Sequence, residues 1–258
     1  MQKLSFLLLL FLVTSFVHAQ QSGEIIYKIK LSEQYKNQKD TTKSKEEAKE
    51  KTKEEVMAES FVAEIFEKQE KILPFISYEL IFNKNEALFF SEESMQLDSG
   101  QDLIDPLMGT GTKGKFYTNL SEDLTLRKFH YTQLILLESK ISDLAWKIVK
   151  ETKNIAGYNC QKATTTIYIN SVHPEKEITV WFAKDLPFSF GPAGMVGLPG
   201  MILGYERSKF FIYANEIKLS EKDRKITKPT KGKKVTQDFI IKKNEEIDKR
   251  MNNLIKSN

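Results

Sequence analysis

Ile76-Ser77-Tyr78-Glu79-Leu80-Ile81-Phe82-Asn83-Lys84-Asn85-Glu86-Ala87-Leu88-Phe89-Phe90 reads as two strands joined by a turn. Ile76, Tyr78, Leu80 and Phe82 recur every second residue, which places them on one face of an extended chain. Asn83-Lys84-Asn85 supplies the turn, and Ala87 to Phe90 returns as the second arm of a hairpin. The same period governs Gly23 to Leu31, where Ile25, Tyr27, Ile29 and Leu31 alternate with Ile26, Lys28 and Lys30. Further strands are expected at Lys115 to Asn119, Leu124 to Tyr131, Gln133 to Leu137, Leu144 to Ile148, Cys160 to Ile169, Glu177 to Ala183, Met201 to Tyr205 and Phe210 to Leu219. Many short strands with few helices between them predict a mainly β protein, an antiparallel sheet forming a sandwich or an open curved barrel.

Two helices interrupt this pattern. Residues 33 to 58 carry seven lysines and seven acidic residues, so the stretch is too polar to join a core and reads as a charged excursion. Phe61, Val62, Ile65, Phe66 and Ile72 then follow at helical spacing up to Pro74, which predicts an amphipathic helix near 56–72 lying on the sheet. Residues 91 to 114 read as a long polar loop. Beyond Lys222 comes a basic linker with Arg224, Lys225, Lys228, Lys231, Lys233 and Lys234, and Phe239, Ile240, Ile247, Met251 and Leu254 mark a C-terminal helix.

The N-terminus has the three parts of a signal peptide: Lys3, an apolar run from Leu4 to Val17, and Val17-His18-Ala19. Cleavage near Ala19 would leave residues 20–258 as a single β-rich domain in the periplasm or outside the cell. The run is shorter than the roughly twenty residues a membrane span needs, so no transmembrane anchor is expected. With Lys3 removed, the formal charge of +4 becomes +3, too balanced to favour nucleic acid as a partner.

Residues 186 to 205, LPFSFGPAGMVGLPGMILGY, hold no charge, with glycines at 191, 194, 197, 200 and 204 and prolines at 187, 192 and 199. The glycine register ends too soon for collagen, and the prolines would break a membrane helix. An ordered apolar loop remains, and it has two readings. In one it is a buried crossover, with Leu198, Met201, Ile202 and Leu203 in the core. In the other, Phe188, Phe190, Met195, Val196 and Leu198 line an apolar groove that takes a lipid-like ligand or a protein partner. Peripheral contact with a bilayer is a third alternative.

The same loop, read together with Gly157-Tyr158-Asn159-Cys160-Gln161-Lys162-Ala163, Trp181-Phe182, Leu186-Pro187 and Gly191-Pro192, resembles the GLPGLI family of secreted bacterial envelope proteins. Gly197-Leu198-Pro199-Gly200-Met201-Ile202 matches the signature except at Met201. Gly194 and Met195 stand where a basic and an aromatic residue are common. The resemblance implies a structural role for Gly191, Pro192, Gly197, Pro199 and Gly200, and it implies no particular reaction.

Catalytic signals are sparse. The chain past residue 19 has His130 and His173 and one cysteine, Cys160, with no HExxH and no cysteine pair, so neither a metal nor any other cofactor is expected. Gly109-Thr110-Gly111-Thr112-Lys113-Gly114 matches GxGxxG but precedes a strand instead of opening a helix, and it reads as a flexible loop. The preferred expectation is a non-catalytic exported protein that binds an apolar ligand or an envelope protein through the Gly/Pro-rich loop. The alternatives are a cysteine- or carboxylate-dependent enzyme and an envelope scaffold.

Overall fold

The computed structural model describes residues 21–33, 35, 52, 53, 56, 57, 60, 67, 70–91, 109–131, 133–168 and 175–256. Twelve strands form one sheet: β1 Ser22–Leu31, β2 Ser77–Asn83, β3 Glu86–Ser91, β4 Lys115–Asn119, β5 Leu124–His130, β6 Leu134–Lys140, β7 Lys147–Ile155, β8 Tyr158–Tyr168, β9 Glu175–Ala183, β10 Met201–Arg207, β11 Phe210–Ser220 and β12 Lys233–Thr236. Their order is β12-β6-β5-β4-β3-β2-β1-β11-β10-β9-β8-β7. All pairings are antiparallel except β12 on β6, so the fold is a single open sheet with β12 and β7 at its edges.

The opening hairpin forms as the alternation requires. Tyr78, Leu80 and Phe82 are buried, Leu80 pairs with Phe89 on β3 and with Ile25 on β1, and Asn83 Oδ1 accepts from the backbone N–H groups of Asn85 and Glu86 to close the turn. One face of the sheet thus carries Ile25, Tyr27, Ile29, Tyr78, Leu80, Phe82 and Phe89, and this face builds the main core.

The sheet must curl around what covers that face. A turn at Pro192–Gly194 touches β10, β3, β4 and β5. Laid flat, β10 and β5 would lie six strand spacings apart, about 29 Å. Residues 191 to 194 span roughly 10 Å at most. Gly191 nevertheless abuts Ile202 of β10 while Gly194 abuts Thr125 of β5 and Phe116 of β4. The segment 186–200 is therefore a plug inside a curved sheet.

Several expectations need adjustment. β7 starts at Lys147, not Leu144, because a 3-10 turn occupies Ile141–Asp143, and it runs on through a polar stretch to Ile155. β12 lies inside the segment read as a basic linker: Val235 alone is apolar there, and it is buried beside Ile135 and Leu137. Earlier in that linker Ile226 is buried against Tyr117 and Leu126 on the other face of the sheet. The C-terminal helix, α1, spans Gln237–Lys256 and seats Ile240 on the same patch as Val235. The stretch 109–114 is not a flexible loop, since Thr110 and Thr112 are fully buried and Thr112 donates to the Tyr78 hydroxyl. Residues 1–20 and almost all of the charged excursion lie outside the described residues, as do 61–66. Within the helix expected near 56–72, residues 56, 57, 60, 67 and 70–72 are helical, and Ile72 packs on the main core.

Candidate functional site

The Gly/Pro-rich segment is covered. Phe188, Phe190, Met195, Val196 and Leu198 all belong to the main core, and none is more than 8% exposed. Phe188 meets the edge of Phe82 with ring centroids 4.7 Å apart. A buried loop must satisfy its own backbone, and this one does. Met201 N–H donates to Leu186 O, Ile202 N–H to Phe190 O and Gly197 N–H to Ser189 O, while the Trp146 indole donates to Val196 O. These side chains offer packing area to the sheet and no surface to a ligand.

The opposite face of the same strands carries a different chemistry, and the pairing register shows how it is assembled. Lys28 of β1 sits opposite Tyr213 of β11, Tyr213 opposite Gly204 of β10, Gly204 opposite Trp181 of β9, and Trp181 opposite Lys162 of β8. Directly paired residues share a face, so these five form one row across five strands. The next row is Lys30, Phe211, Glu206, Thr179 and Thr164. Gly204 leaves room at the centre of the first row, and a side chain there would collide with Ile155, Phe211 and Trp181.

Lys153, near the end of β7, leans over both rows. Its ammonium lies 4.7 Å from the ring centroids of Trp181 and of Phe211 and 3.5 Å from the Glu206 carboxylate. Glu206 also accepts a hydrogen bond from the Trp181 indole at 3.1 Å. Phe211 stacks on Tyr213, and Lys30 lies over both rings. Lys162 is held by Glu151 at 3.0 Å at the far end. The result is a band of aromatic rings bordered by amines and carboxylates, in which Trp181 and Phe211 are buried beneath Lys153, each 6% exposed, with half-buried Tyr213 and exposed Lys30 at its open side.

Nucleophilic chemistry has no comparable support. The Cys160 side chain is fully buried, burial pushes its thiol up to about 11, and its contact with Tyr158 O is a weak 3.6 Å. A nucleophilic cysteine needs the opposite environment. His173 lies outside the described residues. Among the described residues, no group of three His, Cys, Asp or Glu side chains could hold a metal ion, and no helix is long and apolar enough to cross a membrane.

Residues 126–243 match the family model described as N-glycanase peptide, N-terminal domain. The matched range contains the hexapeptide Gly197–Ile202 itself, so the GLPGLI assignment is corrected: the segment that suggested it belongs to a region whose match is to the N-glycanase domain. Two solved structures of PNGF-II, in crystal forms P21 and C2, are similar to this chain at 17% and 16% identity, with TM-scores of 0.46 and 0.47. Each likeness covers 85% of this chain and 32% of the other, so the chain spans about a third of the length of those structures. No curated protein matches the sequence.

The GLPGLI error has a physical source. A Gly/Pro-rich buried plug needs small residues and fixed turns wherever it occurs, so such a run by itself reports packing. The aromatic band was missed because Trp181, Phe211 and Tyr213 look like ordinary strand residues until register places them in adjacent rows.

Proposed function

We propose that this protein is a non-catalytic carbohydrate-binding domain whose Trp181–Phe211–Tyr213 band takes a glycan once Lys153 moves off the two buried rings, Trp181 and Phe211. The observation that carries this reading is the placement of Lys153 and Glu206 among the aromatic rings. A pyranose ring has an apolar C–H face that stacks on an aromatic side chain, and its hydroxyls need nearby donors and charged acceptors. The band supplies both. Lys153 covers Trp181 and Phe211 only through cation–π and ion-pair contacts at a half-exposed site, each worth about 0.5–1 kcal/mol, so a sugar can displace it at modest cost. The matched family model is named for an N-glycanase, and its range contains every residue of the two rows apart from Lys28 and Lys30. That favours an N-linked glycan as the ligand class.

Export is part of the same proposal, since the pattern of residues 1–19 suits a signal peptide and extracellular glycans would be met outside the cytoplasm. The test is a titration of Trp181 fluorescence and of backbone amide resonances with oligosaccharides built on the N-glycan chitobiose core. The wild-type protein should respond saturably, with shifts centred on β9, β10 and β11 and on Lys153 of β7. Trp181→Ala and Glu206→Gln should each weaken binding at least tenfold while the protein stays folded. No response to any glycan, or shifts that map only to the plug, would refute the reading.

A further inference from the structure

At the rim of the concave face the sheet gathers cations that have no anionic partner among the described residues. Arg127 of β5 pairs with Phe116, which pairs with Phe89, so its side chain points to the face that holds the plug. Arg207 ends β10 opposite buried Phe210 and shares that same face, as does Lys176 of β9, two residues from fully buried Ile178. In sheet order β5 and β10 are six spacings apart, and only the curl brings their ends together.

The 109–114 loop ties the two arginines. Arg127 Nε donates to Lys113 O at 3.0 Å, with its guanidinium 4.2 Å from the Phe129 ring centroid and 5.1 Å from that of Phe116. The Arg207 guanidinium lies against Gly111, where a Cβ would come within 2.6 Å of its Cζ. Tyr205 donates to Thr110 O at 3.3 Å and fixes the loop from below. Lys176 donates to the Ser208 hydroxyl just past the end of β10.

Among the described residues none of these three cations has a carboxylate within ion-pair distance. The contrast with the start of β1 is informative. There Arg224 and Lys218 are paired with Glu24 at 3.1 and 3.7 Å, and Lys218 also meets Glu216. Burial first, and then the nearby Arg207, pull the Arg127 guanidinium down to about 10, and the same two causes lower Lys176. Like charges gathered at a half-buried site with no counterion among the described residues are costly, and an anion relieves that cost.

We propose that Arg127, Arg207 and Lys176, gathered around the 109–114 loop, form a binding site for an oxyanion: the phosphate, sulfate or carboxylate group of a ligand. Two guanidinium forks suit such a group, because each can give parallel N–H bonds to two of its oxygens. The site lies on the opposite face from the aromatic band and does not depend on it.

Thermal melting of the full protein in sodium sulfate and sodium phosphate, against sodium chloride at equal ionic strength, tests the site. Glucuronate and glucose form a second pair that separates an acidic sugar from a free oxyanion. The oxyanions should raise Tm saturably beyond chloride, by several degrees, whereas glucose should leave it unchanged. Glucuronate acting at lower concentration than sulfate would identify the ligand as an acidic sugar, and the reverse order a free oxyanion. Arg207→Gln should weaken the apparent Kd for sulfate at least tenfold, with Lys176→Gln as the second variant should the first fail to fold. An equal gain in wild type and variant, or no gain beyond chloride, overturns the proposal.

Discussion

Gly200→Ala should destabilise the protein far more than the same change at Gly157, although both glycines have positive φ. Gly200 sits at φ +156°, and a Cβ there would lie 2.7 Å from the Ala183 carbonyl carbon and 3.0 Å from Lys184 Cα. Those neighbours are backbone at the end of β9, held in place by the Leu186 N–H bond to Ala183 O and by the bond from Met201 N–H to Leu186 O. They cannot rotate away. Backbone strain adds about 1–3 kcal/mol and overpacking a similar amount, so about 3 kcal/mol is a conservative total. At Gly157, φ is +86° and nothing lies within 4 Å, leaving only a conformational cost of about 1 kcal/mol. Gly197 belongs with Gly157, since its nearest neighbours would be at ordinary contact, 3.6 Å from Ile141 and 3.7 Å from Trp146. For a domain of this size each kcal/mol moves Tm by about 2–4 °C. Calorimetry should therefore show Gly200→Ala melting about 6–12 °C low and the other two about 2–4 °C low. Equal shifts at all three positions would refute the argument, because they would mean that the plug yields wherever it is pressed.

Val196→Ser should cost about 3 kcal/mol, from lost apolar burial plus a hydroxyl with no partner, and Met195→Ser should cost about 2–4 kcal/mol; urea denaturation checks both, and unchanged midpoints would restore the groove as an exposed surface. Cys160→Ala should leave glycan binding intact, and labelling of the wild-type thiol at neutral pH should be slow. Because burial raises the folded-state thiol to about 11, the folded protein keeps a proton that the unfolded chain releases above its ordinary value near 9. The stability this provides is complete below about pH 9 and is lost as pH rises towards about 11, so the fall in Tm over that window should be shallower in Cys160→Ala than in wild type. An identical slope in the two proteins would show that other groups govern the alkaline limit.

The strands were legible because period-two alternation is a local property. Lys115–Asn119 begins and ends where its residues indicate, and the hairpin at 76–90 differs by about a residue at each boundary. The C-terminal helix was equally clear, since Phe239, Ile240, Ile247, Met251 and Leu254 all fall within Gln237–Lys256. β12 was hidden because three of its four residues are polar, and it exists only because β6 offers an unpaired edge. The placement of the aromatic band and of the cation cluster was not legible at all. The uncharged Gly/Pro-rich run looked like a surface for apolar partners, yet absence of charge is also what burial inside a curved sheet requires.

Composition and periodicity alone therefore determined that the chain is mainly β, that its sheet is mostly antiparallel, that a helix closes it, and that an ordered apolar loop precedes the strand at Met201. Those properties depend on neighbours a few residues apart. The curl of the sheet, the burial of the plug, the rows that align Lys28, Tyr213, Gly204, Trp181 and Lys162, and the meeting of Arg127 with Arg207 were decided only in the tertiary structure. Each depends on register or closure between strands far apart in sequence, and no local pattern of side chains encodes those distances.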